Sequence, residues 1–441
     1  LIQPRLRLRQ AVETQWNPTN PPQVLCLSNG HGEDEVGSRL AVALVQLGIP
    51  VQALPIVGEG TAYQRQGIPL LPIAQVMPSG GFIYQDWRQL WRDLRAGLLG
   101  LTGRQLALVR RAAAQRNLVL AVGDIVPLLM AWWSGIPYAF VGTAKSDYYW
   151  RDEGGPYRHP WIPFGQPISD YLPWERWLMA HRRCLGSFLR DELTATALQK
   201  RGLRAFYLGN PMMDGLEPRG TLPLDPHRPA LLLLPGSRPP EAYRNWALMM
   251  QVVERLPKEL QVYAALSPNL ERDPLQAWIP SQRSDVLLVW GDFGACAQRA
   301  TVVLAMAGTA TEQCVGLGKP VVTLPGEGPQ FTPRFAEAQT RLLGSAVHLT
   351  SVEQAPAVVG RILERLAADP NYAAELRAHG RRRMGSPGAA RRIAAQLRDW
   401  LKPSRPGFGT VRARHIVKYI VKWGAVVNTP DLLLLSLVFR F

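Results

Sequence analysis

The sequence predicts an α/β protein built as two Rossmann-like domains facing a cleft. Three observations carry that prediction. Short apolar runs followed by a glycine turn and an amphipathic helical stretch recur on both sides of a proline-rich linker. The stretch from Thr301 to Phe331, TVVLAMAGTATEQCVGLGKPVVTLPGEGPQF, reads as strand, turn, helix, strand and loop, which is half of a doubly wound sheet. At 441 residues and 47% hydrophobic content, the chain can bury two cores.

In chain order, residues 1–22 read as a disordered basic leader with Arg5, Arg7 and Arg9 and no signal-peptide apolar segment. Residues 23–208 form the first domain. It opens with the strand Val24 to Leu27, the loop Ser28-Asn29-Gly30-His31-Gly32-Glu33-Asp34, and a helix whose apolar face holds Val36, Leu40, Ala43, Leu44 and Leu47. The strand Leu118 to Val122 ends at Gly123-Asp124, and an apolar helix follows from Ile125. Residues 209–229 read as the linker. Residues 230–402 form the second domain, opened by the strand Leu231 to Leu234 and closed by helices over 352–367 and 372–401. A basic and apolar tail, 403–441, completes the chain; from Lys402 to Phe441 seven basic residues stand against Asp431 alone.

The formal net charge of +16 and a pI near 10.1 point to anionic partners. The arginines show no RNA-binding signature, so nucleic acid is not expected. Cys26, Cys184, Cys296 and Cys314 are scattered without a CxxC pair, as in a reduced cytoplasmic protein. No apolar run reaches the ~18 residues of a spanning helix. Between Trp87 and Arg116, however, indoles and leucines recur at helical spacing with arginines around the rest of the axis. That pattern predicts peripheral contact with an anionic membrane surface.

The candidate chemistry sits where doubly wound sheets hold ligands, at the carboxyl ends of strands. Gly308 lets the backbone approach an anion at the start of the next helix, and the hydroxyls of Thr309 and Thr311 can add donors; a diphosphate fits there without a metal. Arg238, after the Pro235-Gly236-Ser237 turn, can reach the same phosphates. Asp124 is placed to accept the proton of an attacking hydroxyl or, alternatively, to cap the helix behind it. His31 is a second acid-base candidate, or a histidine that stabilises its own loop. The aromatic run with Tyr148, Tyr149, Trp150, Trp161 and Phe164 suits an apolar acceptor beside the cleft.

Together the motifs LSNGHGEDEVG, AVGD, GNPMMD, LPGSR and AGTATEQCVGLGKPVV resemble those of GT-B glycosyltransferases, and in particular lipid A disaccharide synthase and its cyanobacterial and plastid relatives, over about residues 23–402. The resemblance implies that a nucleotide sugar, uridine-linked, binds the second domain and a lipid-linked sugar acceptor the first. It implies transfer with inversion, no metal, and no cofactor beyond the sugar nucleotide as substrate. It places the required aspartate at Asp124 and the phosphate-side arginine at Arg238. The nucleotide-sugar site then comprises Gly236, Ser237, Arg238, Gly308, Thr309, Ala310, Thr311, Glu312, Gln313 and Gln330. The family's ribose-holding glutamate aligns with Gln313, with Glu312 one position earlier, and the sequence leaves open which of the two serves. The first loop, with Asn29, Gly30, His31, Gly32 and Asp34 on the acceptor side, departs from the family's run. It is closer to the Gly-Gly-His loops of glycosyltransferases acting on lipid II precursors or diacylglycerol. A sugar-nucleotide 2-epimerase of the same fold and a catalytically idle sugar-nucleotide binder are the alternatives; the His-Val-Glu-Ala-Gly-type motif expected of the epimerases is not present.

Overall fold

In a computed structural model, residues 22–71, 98–157, 169–328 and 331–402 are described, the side chains of 98–105 excepted. The leader, the first part of the Trp87–Arg116 stretch, Trp161, Phe164, Gln330 and the tail lie outside the described residues.

The first sheet forms because its strands are apolar on both faces, the composition of parallel strands covered by helices on either side. Its elements run β1 (Val24–Ser28), α1 (His31–Gln46), β2 (Val51–Pro55), α2 (Thr61–Arg65), α3 (Leu98–Ala113), β3 (Leu118–Gly123), α4 (Ile125–Trp133) and β4 (Tyr138–Gly142). After the small hairpin β5 (Arg151–Asp152) and β6 (Gly155–Pro156) come α5 (Pro173–Ala180), β7 (Cys184–Phe188), α6 (Glu192–Gln199) and β8 (Ala205–Phe206). The sheet order is β2-β1-β3-β4-β7-β8, with every pairing parallel. Every residue of β1, β3 and β4 is buried.

The second sheet repeats the plan. It takes in β9 (Ala230–Leu234), α7 (Glu241–Val253), β10 (Gln261–Leu266), α8 (Arg272–Gln276), β11 (Leu287–Trp290), α9 (Phe293–Arg299), β12 (Val302–Ala305), α10 (Thr309–Gly316), β13 (Val321–Thr323), α11 (Pro333–Leu343), β14 (Val347–Leu349) and α12 (Ala355–Ala368). Its order is β11-β10-β9-β12-β13-β14, again parallel throughout. Each sheet therefore reverses direction at one place, between β1 and β3 in the first and between β9 and β12 in the second. Those two switch points are where an open α/β sheet leaves a crevice.

Two segments differ from expectation. The stretch 372–401 is not one helix: it breaks at Gly385, whose φ of 80° suits glycine, into α13 (Tyr372–Met384) and α14 (Ala389–Leu401). And α14 does not cover the second sheet. It packs on α1, with Ile393, Ala394, Leu397 and Leu401 buried. Its Trp400 stacks 5.3 Å from Phe188 and lies 5.6 Å from Phe206. By packing, residues 389–401 belong to the first sheet rather than to the 230–402 domain. The linker is correspondingly a fixed element. Arg39 Nη1 donates to the Pro211 and Met212 carbonyls at 3.0 and 3.2 Å, and the Asp214 carboxylate receives the N–H groups of Gly388, Ala389 and Ala390, capping α14 from outside. All four cysteines are buried and none is in a disulfide.

Candidate active site

At the first switch point the chain leaves β1 through Asn29 and leaves β3 through Asp124, and the two side chains meet. Asn29 Nδ2 donates to both oxygens of Asp124 at 3.3 Å. Asp124 Oδ1 also accepts the Val126 N–H at 2.9 Å, so it caps α4. The capping and cleft-facing roles thus fall on the same carboxylate. Burial raises its pKa against the opposing effect of those two hydrogen bonds.

The second switch point is built from the ends of β9 and β12. Asn245 of α7 donates to the Pro235 carbonyl at 3.0 Å and the Met306 carbonyl at 3.5 Å, tying the two strand ends together. Gly236 sits at φ 101°, and a Cβ there would come 3.3 Å from the Met306 carbonyl oxygen, so backbone conformation and close approach both call for glycine. Ser237 is exposed and Arg238 half-buried. Gly308 caps α10 with no side-chain hydrogen bond, Thr309 at the first helical position is exposed, and Ala310 is half-buried. From behind, Gln339 of α11 donates to the Ala307 and Gly308 carbonyls. The first-turn N–H groups of α10 therefore point into the crevice with their partial positive charge.

The two switch points face each other. A methyl group on Gly32 would lie 3.6 Å from Thr309 Oγ1. Between them stands Glu33, in the first turn of α1, with Oε1 3.5 Å from the Thr143 hydroxyl and its charge felt by Arg238 across the gap. Burial pushes the Glu33 carboxyl up to about 7, and the neighbouring charges of Asp124 and Asp34 add to the shift. Gly123, at φ 130°, makes room for it: a Cβ there would be 2.9 Å from Glu33 Cγ. A carboxyl that titrates near neutrality is suited to proton transfer. Glu33 was not a candidate from sequence, although its signal was present as an acid directly after a glycine at a strand's end.

Several sequence assignments change. The helix after β1 starts at His31, not near Val36, because Gly30 at φ 136° turns the chain directly into it. His31 is consequently an exposed first-turn residue beside Gly58, and Gly32 a helical one. Asp34 is not on the acceptor side. It is 2% exposed and accepts from Ser28 Oγ at 2.6 Å, with Tyr63 and Cys26 continuing the buried chain. Thr311 is fully buried and spends its hydroxyl on the Ala307 carbonyl at 2.7 Å, so it offers nothing to an anion. Neither ribose candidate is unengaged: Glu312 pairs with Arg190 of the first half at 3.1 Å, and Gln313 donates to the Met212 carbonyl of the linker at 2.7 Å. A separate hollow lined by Arg39, Gln46, Asp214 and Pro387 shares no residue with this cleft.

Two parallel-sheet, Rossmann-like halves with facing switch points define the GT-B class, whose solved members include both glycosyltransferases and epimerases. The chain superposes on the calicheamicin glycosyltransferase CalG4 with a TM-score of 0.58 at 17% identity, covering 87% of this chain and 98% of that one. It superposes on a putative UDP-N-acetylglucosamine 2-epimerase from Listeria monocytogenes with a TM-score of 0.55 at 15% identity, covering 88% and 98%. At those identities the likeness establishes the fold.

In sequence the chain is similar to the lipid-A-disaccharide synthase of Anaeromyxobacter dehalogenans, 26% identical over an alignment of 225 residues, with 44% of this chain and 57% of the relative covered. It is similar also to lipid-A-disaccharide synthase 1 of Legionella pneumophila, 26% identical over 137 residues, 29% of this chain and 35% of the relative. The matches thus span little more than half the length of these relatives at most. No protein-family model matches the chain.

Proposed function

We propose that the protein is an inverting glycosyltransferase that moves a sugar from a uridine-diphosphate sugar to a lipid-linked sugar acceptor. The observation that carries this reading is the opposition of the two switch points. An open helix N-terminus with Thr309 and Arg238 stands on one side, and Asp124 and Glu33 stand on the other. The similarity to lipid-A-disaccharide synthases supports the acceptor class.

The reaction is a single displacement. The acceptor oxygen forms a bond to the sugar's C1 as the C1–O bond to the diphosphate breaks, and the electron pair leaves with the nucleoside diphosphate. The α10 N–H groups, Thr309 and Arg238 stabilise that developing charge, each well-placed donor contributing about 3 kcal/mol in favourable cases. Asp124 takes the acceptor's proton, with Glu33 the adjoining carboxylate that shares the site's charge. His31, exposed at the start of α1, is the second candidate for that proton transfer.

The test is a panel of nucleotide sugars screened for thermal stabilisation of the full chain, followed by mass analysis with lipid-linked monosaccharide acceptors. The expected result is stabilisation by a uridine-diphosphate sugar and acceptor-dependent release of the nucleoside diphosphate. Stabilisation by none of them, or epimerised sugar formed without acceptor, overturns it.

A further inference from the structure

Helices α4 and α5 pack side by side, and their ends carry a cluster of aromatic rings. Trp132 lies 5.6 Å from Trp177 and 6.3 Å from Trp133, and the His181 ring closes the group 5.9 Å from Trp177. In a water-soluble fold such rings ordinarily turn inward. Here Trp177 is 54% exposed, Trp174 40%, Trp133 39% and Leu172 38%, while the other large exposed apolar side chains among the described residues, Val45, Trp278 and Leu349, are scattered. Trp174 and Trp177, three residues apart, share one side of α5.

Among the described residues, the charged side chains that follow this ring cluster directly are basic: Arg182 is exposed and Arg183 half-buried, and neither forms an ion pair there. Arg176, on another side of α5, is half-buried near Arg201, Asp147 and Glu175. Arg182 and Arg183 are close enough to His181 to reinforce the lowering of its pKa that burial begins. The acidic residue of α5, Glu175, is turned inward onto Lys145 at 2.6 Å, and α4 carries no charge at all.

We infer that the Trp133–Trp174–Trp177 face, with Arg182 and Arg183, docks the protein on an anionic phospholipid surface. Exposed indoles interleaved with arginines are the mixture that settles at headgroup depth, the rings among the upper acyl carbons and the guanidiniums on the phosphates. The three indoles expose only about 300 Å², well below the ~800 Å² per partner of a stable protein interface. A bilayer, which adapts to a small wedge, is the better match. α4 is capped by Asp124 at its cleft end and bears Trp132 and Trp133 at the other, so the ring cluster lies at the amino-terminal edge of the first sheet. This face is distinct from the Trp87–Arg116 contact expected from sequence, and docking requires neither donor nor transfer, so it can fail or hold independently of the proposed reaction.

The experiment is flotation of the full chain with vesicles of equal parts phosphatidylglycerol and phosphatidylcholine, and with phosphatidylcholine alone. Two variants accompany it, Trp133→Ser/Trp174→Ser/Trp177→Ser and Arg182→Gln/Arg183→Gln. The parent is expected to float with the anionic vesicles, less so at high salt, and each variant to partition at least about tenfold more weakly. Circular dichroism and a single cooperative unfolding transition verify that the variants fold. Absence of flotation by the parent, or flotation of folded variants equal to the parent's, overturns the assignment. A loss of self-association in the tryptophan variant with vesicle binding unchanged also overturns it, in favour of a second copy as the occupant.

Discussion

Arg190 Nη2 lies 3.1 Å from Glu312 Oε2, joining the end of the first sheet to the first turns of α10 in the second. The side chains are 2% and 11% exposed. Arg190 also donates to the Thr143 carbonyl at 3.0 Å and contacts the Met384 sulfur, so a single guanidinium gathers the loop after β4, the first turns of α10 and the end of α13. The same pair occupies the carboxylate that otherwise stands as a candidate for a ribose.

Removing one partner of a buried pair leaves the other charge uncompensated. Arg190→Met is therefore expected to cost about 3–5 kcal/mol of stability, and Arg190→Met with Glu312→Leu to regain much of it. Denaturant unfolding of the single and double variants measures the difference; a double variant no more stable than the single would show that the pair's charges are not coupled.

Asp124 both caps α4 and faces the cleft, and two substitutions separate those jobs. Asp124→Asn keeps a good cap, so stability is expected to change little while transfer falls at least ~100-fold. Asp124→Ala loses the cap as well, at about 1 kcal/mol. Turnover by Asp124→Asn equal to the parent's would take the proton-accepting role away from Asp124.

Arg238 follows the Gly236 turn at the end of β9, and on the proposed reading Arg238→Ala is expected to weaken nucleotide-sugar binding by about 10–100-fold through the loss of a charge-assisted contact. Calorimetric titration reads it directly. An unchanged affinity would mean that the phosphates lie elsewhere.

Burial pushes both Asp34 and Glu33 up to about 7, from ordinary values of 3.8 and 4.5. Their contribution to stability is complete below those ordinary values and declines as pH rises toward 7, because the unfolded chain releases protons that the folded one retains. The protein is thus expected to lose stability from about pH 4 to 7 on this account and to level off above. Asp34→Asn, which keeps the acceptor for Ser28 Oγ, should flatten the decline; unfolding at pH 5 and pH 8 decides it.

Both sheets were legible because parallel strands announce themselves as apolar runs and their ends as glycine turns. Asp124, Gly236, Arg238 and Gly308 sit at such ends, so they came with the strands. What sequence could not supply was pairing at a distance. Asp34 looks like a loop carboxylate until Ser28 and Tyr63 close over it, and Arg190 gives no local sign of Glu312, 122 residues away. The start of α1 was hidden because two of its flanking residues are glycines, poor helix formers that here turn the chain straight into the helix. The break at Gly385-Ser386-Pro387-Gly388 carries turn residues that the helical pattern on either side outweighs, and nothing local marks the destination of the helix beyond it.

That destination bears on synthesis. Trp400 covers Gly186 so closely that a Cβ there would stand 2.6 Å from its ring, and it lies over Phe188 and Phe206. A nascent chain that has emerged only as far as the linker exposes those rings, together with the apolar flank of α1 that α14 later covers. The amino-terminal half therefore completes its packing late: translation must run almost two hundred residues past its last strand before the piece that seals it leaves the ribosome.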